Sequence, residues 1–383
     1  MRLADALTIG DLRRLARRRL PRLVFDYIDG GAEDEDGLRR NREAFRRHRL
    51  LPRYLVDIAR RDQSVELFGR RYASPFGIGP TGLNGFARPG ADGMLAEAAA
   101  EADIPFVLSG AGTASIEDMA RAAPRHCWYQ LYVARERKIT EDIVRRARDS
   151  GIGVLMLTVD VPVHSKRERD RRNGFVLPPR PSAGAFFEAM THPGWLASLA
   201  RHGRPRFETW APYAGERASA NETAAYFASQ IPFAPTWADL DSLRRLWPGK
   251  LVIKGIMNPD DARRAADAGV DGIVVSNHGG RQLDRAPSAL EAFPAIREAI
   301  GDRIVLMLDG GVQRGADIVV ALALGARFVF VGRATLFGVA VAGAAGARRA
   351  IAILRDEIDI TLGQIGCPQA SALGPEALAP LYE

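Results

Sequence analysis

The sequence predicts an α/β fold: a closed (β/α)8 TIM barrel with an N-terminal helical cap and a long insertion after the fourth strand. Three observations predict it. Short, mostly apolar runs at 75–80, 105–109, 128–132, 154–160, 251–254, 272–276, 304–309 and 327–331 alternate with helical patterns eight times. The runs are apolar at successive positions, as parallel strands covered on both faces require. The amphipathic stretches between them, such as 259–268 and 315–324, are followed by Gly269 and Gly325, which stand where helices stop. Eight β-α units in 383 residues favour a closed barrel over an open doubly wound sheet. Ahead of the first strand, the helical segment 8–20 and the loop Asp29-Gly30-Gly31-Ala32-Glu33-Asp34 read as a cap over residues 1–72.

With 47% apolar residues the chain can bury one large core, and 1–383 reads as one domain. A net charge of +7 and a pI near 9.7 raise nucleic acid or an anionic surface as partners. The cations argue against nucleic acid. Nearly all are arginines scattered among acids on amphipathic helices, Lys138, Lys166, Lys250 and Lys254 are the only lysines, and there is no basic tail. A non-enzymatic basic scaffold is therefore the less favoured reading. Cys127 and Cys367 give neither a disulfide framework nor metal-ligand spacing, so no metal is expected, and Cys127 reads as a core thiol. The longest apolar stretch, 336–347, is short and rich in Gly and Ala, a core-helix pattern rather than a membrane span. The charged N-terminus lacks the apolar core of a secretory signal, and a reducing compartment is expected.

One interval breaks the repeat. Between the fourth and fifth strands lie far more residues than a crossover needs, with the insertion proper at 178–236. It holds Phe186, Phe187, Met190, Trp195, Arg201, Arg204, Arg206, Phe207 and Trp210. Aromatic rings mixed with arginines suit a membrane interface. A lid or an intersubunit contact fits the same residues.

The chemistry is concentrated at strand ends, where barrels of this class place their reactive groups. The string Ser276-Asn277-His278-Gly279-Gly280-Arg281-Gln282-Leu283-Asp284 begins where the sixth strand ends. A histidine and an arginine separated by two glycines make a base beside an anion anchor, with room for close backbone approach. Asp309-Gly310-Gly311 follows the seventh strand and Gly332-Arg333 the eighth, the two places where a barrel holds a phosphate. No Gly-x-Gly-x-x-Gly follows a strand and no Walker-type loop is present, so a phosphorylated cofactor at the barrel mouth points to FMN. Thr81, Ser109, Gln130, Tyr132, Thr158, Asp160 and Lys254 bring further polar groups to the same mouth. Lys254 could stabilise negative charge developing on a reduced flavin.

These motifs resemble the FMN-dependent 2-hydroxy-acid dehydrogenase and oxidase family over nearly the whole chain. The resemblance runs through Phe25-Asp26-Tyr27, Gly31-Ala32-Glu33-Asp34, Pro80-Thr81-Gly82, Gln130-Leu131-Tyr132, Leu157-Thr158-Val159-Asp160, Arg167-Glu168-Arg169-Asp170 and Lys254-Gly255. It continues through the 276–284 string, Asp309-Gly310-Gly311 and Ala321-Leu322-Ala323-Leu324-Gly325-Ala326. It implies that His278 takes the proton as the hydroxy acid is oxidised and that Asp160 stabilises the imidazolium. Arg281 and Arg167 would clamp the substrate carboxylate, Tyr27 would assist them, and Tyr132 would contact the reacting hydroxyl. Pro80, Thr81, Ser109, Gln130, Thr158, Lys254 and Ser276 would hold the flavin, Asp309 its ribityl chain, and Gly311, Gly332 and Arg333 its phosphate. Two positions depart from the family pattern. Gln313, followed by Arg314, stands where an arginine is usual after Asp-Gly-Gly, and Gly174 stands where an arginine is common.

Gly82 occupies a position where members acting on small substrates often carry alanine, which is expected to enlarge the space beside the flavin. With the segment Leu362-Gly363-Gln364-Ile365-Gly366-Cys367-Pro368, it makes the chain look similar to the (S)-mandelate dehydrogenase branch, with L-lactate as the competing substrate. The insertion resembles the membrane-anchoring segment of that branch. The resemblance implies a homotetramer on the cytoplasmic side of the inner membrane that passes electrons to quinone. A soluble cytoplasmic oxidase using O2 is the alternative.

Overall fold

A computed structural model describes residues 1–178, 180, 182–215 and 217–380. A short antiparallel hairpin, β1 (Val65–Leu67) and β2 (Arg70–Tyr72), precedes the barrel. The barrel strands are β3 (Phe76–Ile78), β4 (Phe106–Leu108), β5 (Cys127–Leu131), β6 (Val154–Thr158), β7 (Lys250–Ile256), β8 (Gly272–Val275), β9 (Val305–Asp309) and β10 (Phe328–Val331). All pair in parallel and the ring closes through β10 and β3, as the eightfold repeat predicts. Inside the ring, Trp128, Met156, Val252, Val274, Met307, Phe328 and Phe330 form a packed core, and Val65, Leu67 and Tyr72 of the hairpin join it. The hairpin thus plugs the end of the barrel remote from the chemistry. Cys127 is buried, and burial pushes its thiol up to about 12, consistent with an inert core residue.

The cap contains more helix than the sequence predicts. Ile9–Arg19 is stopped at its front by Thr8, whose hydroxyl accepts from Asp11 N–H at 3.1 Å. Two further helices follow, Arg22–Asp29 and Asp36–Arg47. The second has a left-handed N-cap residue, Glu35, whose side chain makes no cap bond. Its first turn is capped instead by Asp284, whose Oδ1 accepts from Gly37 N–H at 2.7 Å. The cap is therefore tied directly to the end of the 276–284 string.

The insertion is folded, not an irregular loop. It contains the helices Ala183–Ala189, Pro193–His202, Ala211–Ala214 and Ala220–Gln230. Its later part packs inward: Phe207 stacks on Phe227 at 4.6 Å, and Trp210 Nε1 donates to Gly110 O at 2.7 Å. Trp195 Nε1 donates to Phe86 O at 2.8 Å. Only the earlier part presents large apolar groups outward, with Phe186, Phe187 and Met190 all more than half exposed.

Beyond β10 the expected helix over 336–347 is two helices, Arg333–Ala342 and Ala344–Gln364, separated by Gly343 at φ +61°. They cross backbone to backbone. A Cβ on Gly346 would lie 1.8 Å from Gly338 O, and one on Gly338 would lie 2.2 Å from Gly346 O. Gly346→Ala must therefore separate the two helices, at an expected cost of about 2 kcal/mol or more, read from the urea midpoint. Gly184→Ala, on a helix position with open space, should leave that midpoint within about 0.5 kcal/mol and serves as the comparison.

Candidate functional site

The C-terminal ends of the eight barrel strands open into a cleft of about 500 Å³. Of the residues expected at the site, Tyr27, Pro80, Thr81, Gly82, Ser109, Tyr132, Arg167, Lys254, His278, Arg281, Asp309, Gly311, Gly332 and Arg333 line it. Gln130, Thr158, Asp160 and Ser276 are placed behind that surface, each bonded to a lining residue or buried against one.

His278 is held in the left-handed region at φ +57° and is followed by Gly279 and Gly280 at +65° and +74°. This run turns the chain sharply enough to aim the imidazole into the cleft. A side chain at Gly280 is excluded because its Cβ would stand 2.5 Å from Leu38 N. His278 N–H donates to Ser276 Oγ at 3.0 Å. The imidazole Nδ1 lies 2.8 Å from Asp160 Oδ1. With Nδ1 so engaged as a donor, Nε2 is the basic nitrogen. Burial holds the imidazole below its ordinary value against the opposing pull of Asp160, so His278 is neutral near pH 7. Burial works against the charge on Asp160, but His278 and Lys254 beside it keep its carboxyl below the usual carboxylate range.

Lys254 sits on β7 at a register shift, where Gly255 allows Asp160 to approach; a Cβ there would fall 2.6 Å from Asp160 Cγ. Its Nζ donates to Ser276 Oγ at 2.8 Å and lies 3.3 Å from Asp309 Oδ2 and 3.7 Å from Asp160 Oδ2. Burial opposes its charge, yet the two carboxylates raise its pKa and keep it an ammonium.

Arg167 and Arg281 stand side by side. Arg281 Nη1 donates to Tyr27 O at 2.5 Å and Gly30 O at 2.9 Å, and its guanidinium lies 4.8 Å over the Tyr27 ring. Its Nη2 is buried with no hydrogen-bond partner, and Asp170 Oδ2 is 3.9 Å away. Arg167 Nε donates to Ser165 Oγ at 3.1 Å and Arg281 O at 3.2 Å. Burial and the neighbouring Arg281 push Arg167 down to about 10. Two adjacent cations with an idle donor fit an incoming carboxylate. The hydroxyls of Tyr27 and Tyr132 are both raised by burial and stay protonated, so each can donate.

The other half of the cleft suits a flavin phosphate. Gln130 Oε1 accepts from Ser109 Oγ and Gly110 N–H at 3.0 and 3.1 Å, leaving its Nε2 buried without a partner. Thr158 Oγ1 and Asp309 Oδ1 are likewise buried without partners. These orphaned groups ask for a polar ligand. Gly310 and Gly311 are at φ +99° and +87°, exposing backbone at the cleft end. The residues present therefore fit FMN. Arg333 is less free than its sequence position implies, since Nε, Nη1 and Nη2 donate to Ile28 O, Gly279 O and Gly30 O at 2.9, 3.0 and 2.8 Å.

Gly82 differs from expectation in one respect. Its missing Cβ would point at Ala111, 2.9 Å from that methyl, and not into open cleft. A residue at 82 would act by shifting the 110–112 loop or Tyr27, whose hydroxyl donates to Gly82 O at 3.3 Å. The cleft also contains residues without a sequence-based assignment: Asp170, Gln282, Arg42 and an apolar wall from Phe175, Val176, Leu177, Phe207, Phe227 and Ile231. Asp170 closes the Arg167-Glu168-Arg169-Asp170 motif and was findable there; the apolar wall depends on how the insertion folds.

Comparison with known proteins agrees with this geometry. A family model described as FMN-dependent dehydrogenase matches residues 16–380. (S)-mandelate dehydrogenase of Pseudomonas putida is 43% identical over 374 residues, covering 98% of this chain and 94% of that protein. L-lactate dehydrogenase of Caulobacter vibrioides is 39% identical over 371 residues, covering 96% of each. The crystal structure of the monotopic membrane protein (S)-mandelate dehydrogenase superposes with a TM-score of 0.94 at 43% identity, covering 98% of this chain and 99% of that one. Mandelate oxidase superposes at 0.81 with 34% identity, covering 98% of both chains. The chain belongs to the FMN-dependent dehydrogenases and is an FMN enzyme that oxidises a 2-hydroxy acid.

Proposed function

We propose that the protein oxidises an aromatic L-2-hydroxy acid of the (S)-mandelate type and passes the electrons to membrane quinone, working as a peripheral-membrane homotetramer. The observation that carries the substrate assignment is the apolar wall from Phe175 to Leu177 and from the insertion, which lines the same cleft as the Arg167–Arg281 pair. A carboxylate held by two guanidinium groups leaves the substrate side chain to that wall, where a phenyl ring is desolvated. The 43% identity to (S)-mandelate dehydrogenase supports the same reading.

The roles of the residues follow from their positions. Arg281 Nη2 and Arg167 bind the carboxylate, with Tyr27 beside them. Tyr132 donates to the substrate hydroxyl. His278 Nε2 accepts a proton from the substrate, and the ionised Asp160, whose Oδ1 faces His278 Nδ1, stabilises the resulting imidazolium. Ser109, Gln130, Thr158 and Lys254 would hold the flavin ring, Asp309 the ribityl chain, and Gly311, Gly332 and Arg333 the phosphate end. Bound FMN supplies the two-electron acceptor for the oxidation. Lys254 keeps a positive charge beside it.

Among the described residues no helix is long and apolar enough to cross a membrane. The outward Phe186, Phe187 and Met190, with exposed Arg180, Arg201 and Arg204 nearby in sequence, instead form a surface for insertion into one leaflet. The monotopic (S)-mandelate dehydrogenase supports this placement.

Three outcomes are expected. First, kcat/KM for (S)-mandelate should exceed that for L-lactate by tenfold or more; a preference for lactate would reassign the substrate. Second, because His278 must be neutral to accept the proton and its pKa is depressed, kcat/KM should be flat above pH 6.5 and fall as pH drops through a lower value. Asp160→Asn removes the carboxylate that raises this pKa. It should move the acid limb to still lower pH while cutting the plateau about 100-fold or more, measured by anaerobic flavin bleaching. An unmoved limb with full rate would break the His278–Asp160 assignment. Third, the combined substitution Phe186→Ser, Phe187→Ser, Met190→Ser should release the protein from sedimenting membranes with dye-linked turnover intact. Continued sedimentation would remove this surface as the anchor. Deleting all of 181–236 is not equivalent, since it also strips Phe207 and Phe227 from the cleft wall and Trp210 from behind it.

A further inference from the structure

The cleft end built from Gly310, Gly311, Gln313, Gly332 and Arg333 has a shortage of free cations for a site of its kind. Gln313 is neutral. Arg314 is turned away, its Nη2 2.9 Å from Glu357 Oε1 and its side chain largely exposed. Arg333 is committed to three backbone carbonyls. Arg42, on the cap helix Asp36–Arg47, is different. It lines the same cleft, it is half-buried, and among the described residues no hydrogen bond bears on its guanidinium, only charges at longer range. The two acids facing it are already engaged: Asp29 accepts from Arg13 Nε and Nη2 at 2.5 and 2.7 Å, and Glu35 pairs with Arg169. Its backbone lies against the glycine turn, for the carbonyl of the preceding Asn41 would be 2.3 Å from a Cβ on Gly311.

Resting on the reading that this end receives the FMN phosphate, we infer that Arg42 adds the free guanidinium that binds it, beside the tethered Arg333 and in the place Gln313 leaves without charge. A half-buried cation without a partner, beside a second arginine and an exposed glycine backbone, is balanced by a dianion. The cap helix thereby becomes part of the cofactor site, so phosphate binding draws the cap onto the barrel.

The test compares FMN with riboflavin, which lacks the phosphate. Flavin is removed from the purified holoenzyme and both ligands are titrated back, following quenching of flavin fluorescence. The unaltered protein should bind FMN far more tightly than riboflavin. Arg42→Met should weaken FMN by about 10- to 100-fold while leaving riboflavin within about twofold. Gln313→Arg added to Arg42→Met should recover most of the loss. Unchanged FMN affinity in Arg42→Met, or equal losses for both flavins, would overturn the inference. If the unaltered protein binds both flavins alike, the phosphate reading itself falls and Arg42 with it. Should Arg42→Met not fold, Arg42→Lys decides: a several-fold loss confined to FMN supports the inference, and no such loss overturns it.

Discussion

The site depends on how one helix end is satisfied. The helix Arg22–Asp29 finishes with carbonyls that no further turn can bond. Arg281 takes those of Tyr27 and Gly30, and Arg333 takes those of Ile28 and Gly30 as well as Gly279. Cations at a helix C-terminus gain from its dipole, and charged hydrogen bonds of this kind contribute about 1.5–3 kcal/mol each. Five such bonds join three segments distant in sequence: the cap, the loop after β8 and the turn after β10. Tyr27 is carried into the cleft by the same helix. Arg281, the proposed carboxylate ligand, is thus held by its Nη1, which leaves Nη2 in a fixed direction without a partner among the described residues. Pre-organisation of this kind is what a carboxylate clamp requires.

A second balance is electrostatic. Lys254 faces two carboxylates, Asp160 and Asp309, while His278 next to Asp160 remains neutral. Without substrate this cluster carries more negative than positive charge, and that favours protonating His278 at the moment of reaction. Burial restrains it until then. Base strength is low in the resting site because a buried imidazolium is costly, and it is supported in the reacting site because Asp160 is already in contact. In the proposed binding mode Arg167 and Arg281 would offset the substrate's own charge, so the carboxylate would not draw on Lys254.

The barrel was legible because its signals are local. Each predicted strand overlaps an observed one, since a parallel strand buried on both faces must be apolar along its length. What escaped notice depends on distant partners. The helix Asp36–Arg47 has a charged sequence and no local N-cap, its cap being Asp284. The hairpin β1–β2 is too short to show a period, and its place is defined by the barrel core it plugs. Arg42 looks like any surface arginine of an amphipathic helix until the glycine turn is seen against Asn41. The 276–284 string was readable as chemistry because its residue types are unusual together. That Arg281 and Arg333 also frame the fold was not readable, because backbone carbonyls leave no mark in a sequence.

The insertion shows why anchor and wall have to be distinguished. One segment meets two solvents. Its first helix exposes Phe186, Phe187 and Met190, while Phe207 and Phe227 some 20 to 40 residues later are buried at the cleft, with Trp210 packed behind Phe227. Trp195 and Trp210 fix the segment to Phe86 and Gly110, and Gly110 adjoins the Ala111 that limits the space at Gly82. A shift of the outer helix can therefore be transmitted to the apolar cleft wall, the proposed seat of the substrate side chain. The chain also leaves an exposed apolar face within the same folded unit as the cleft, and in the proposed docking that face would meet the membrane. Under the proposed quinone reduction, a lipophilic acceptor would not have to leave the membrane far to be reduced, and a charged hydroxy acid would not have to enter it. The two proposed ligands have opposite solvent preferences, and the insertion would serve both by placing its apolar outer helix on one side and its inner aromatic residues on the other.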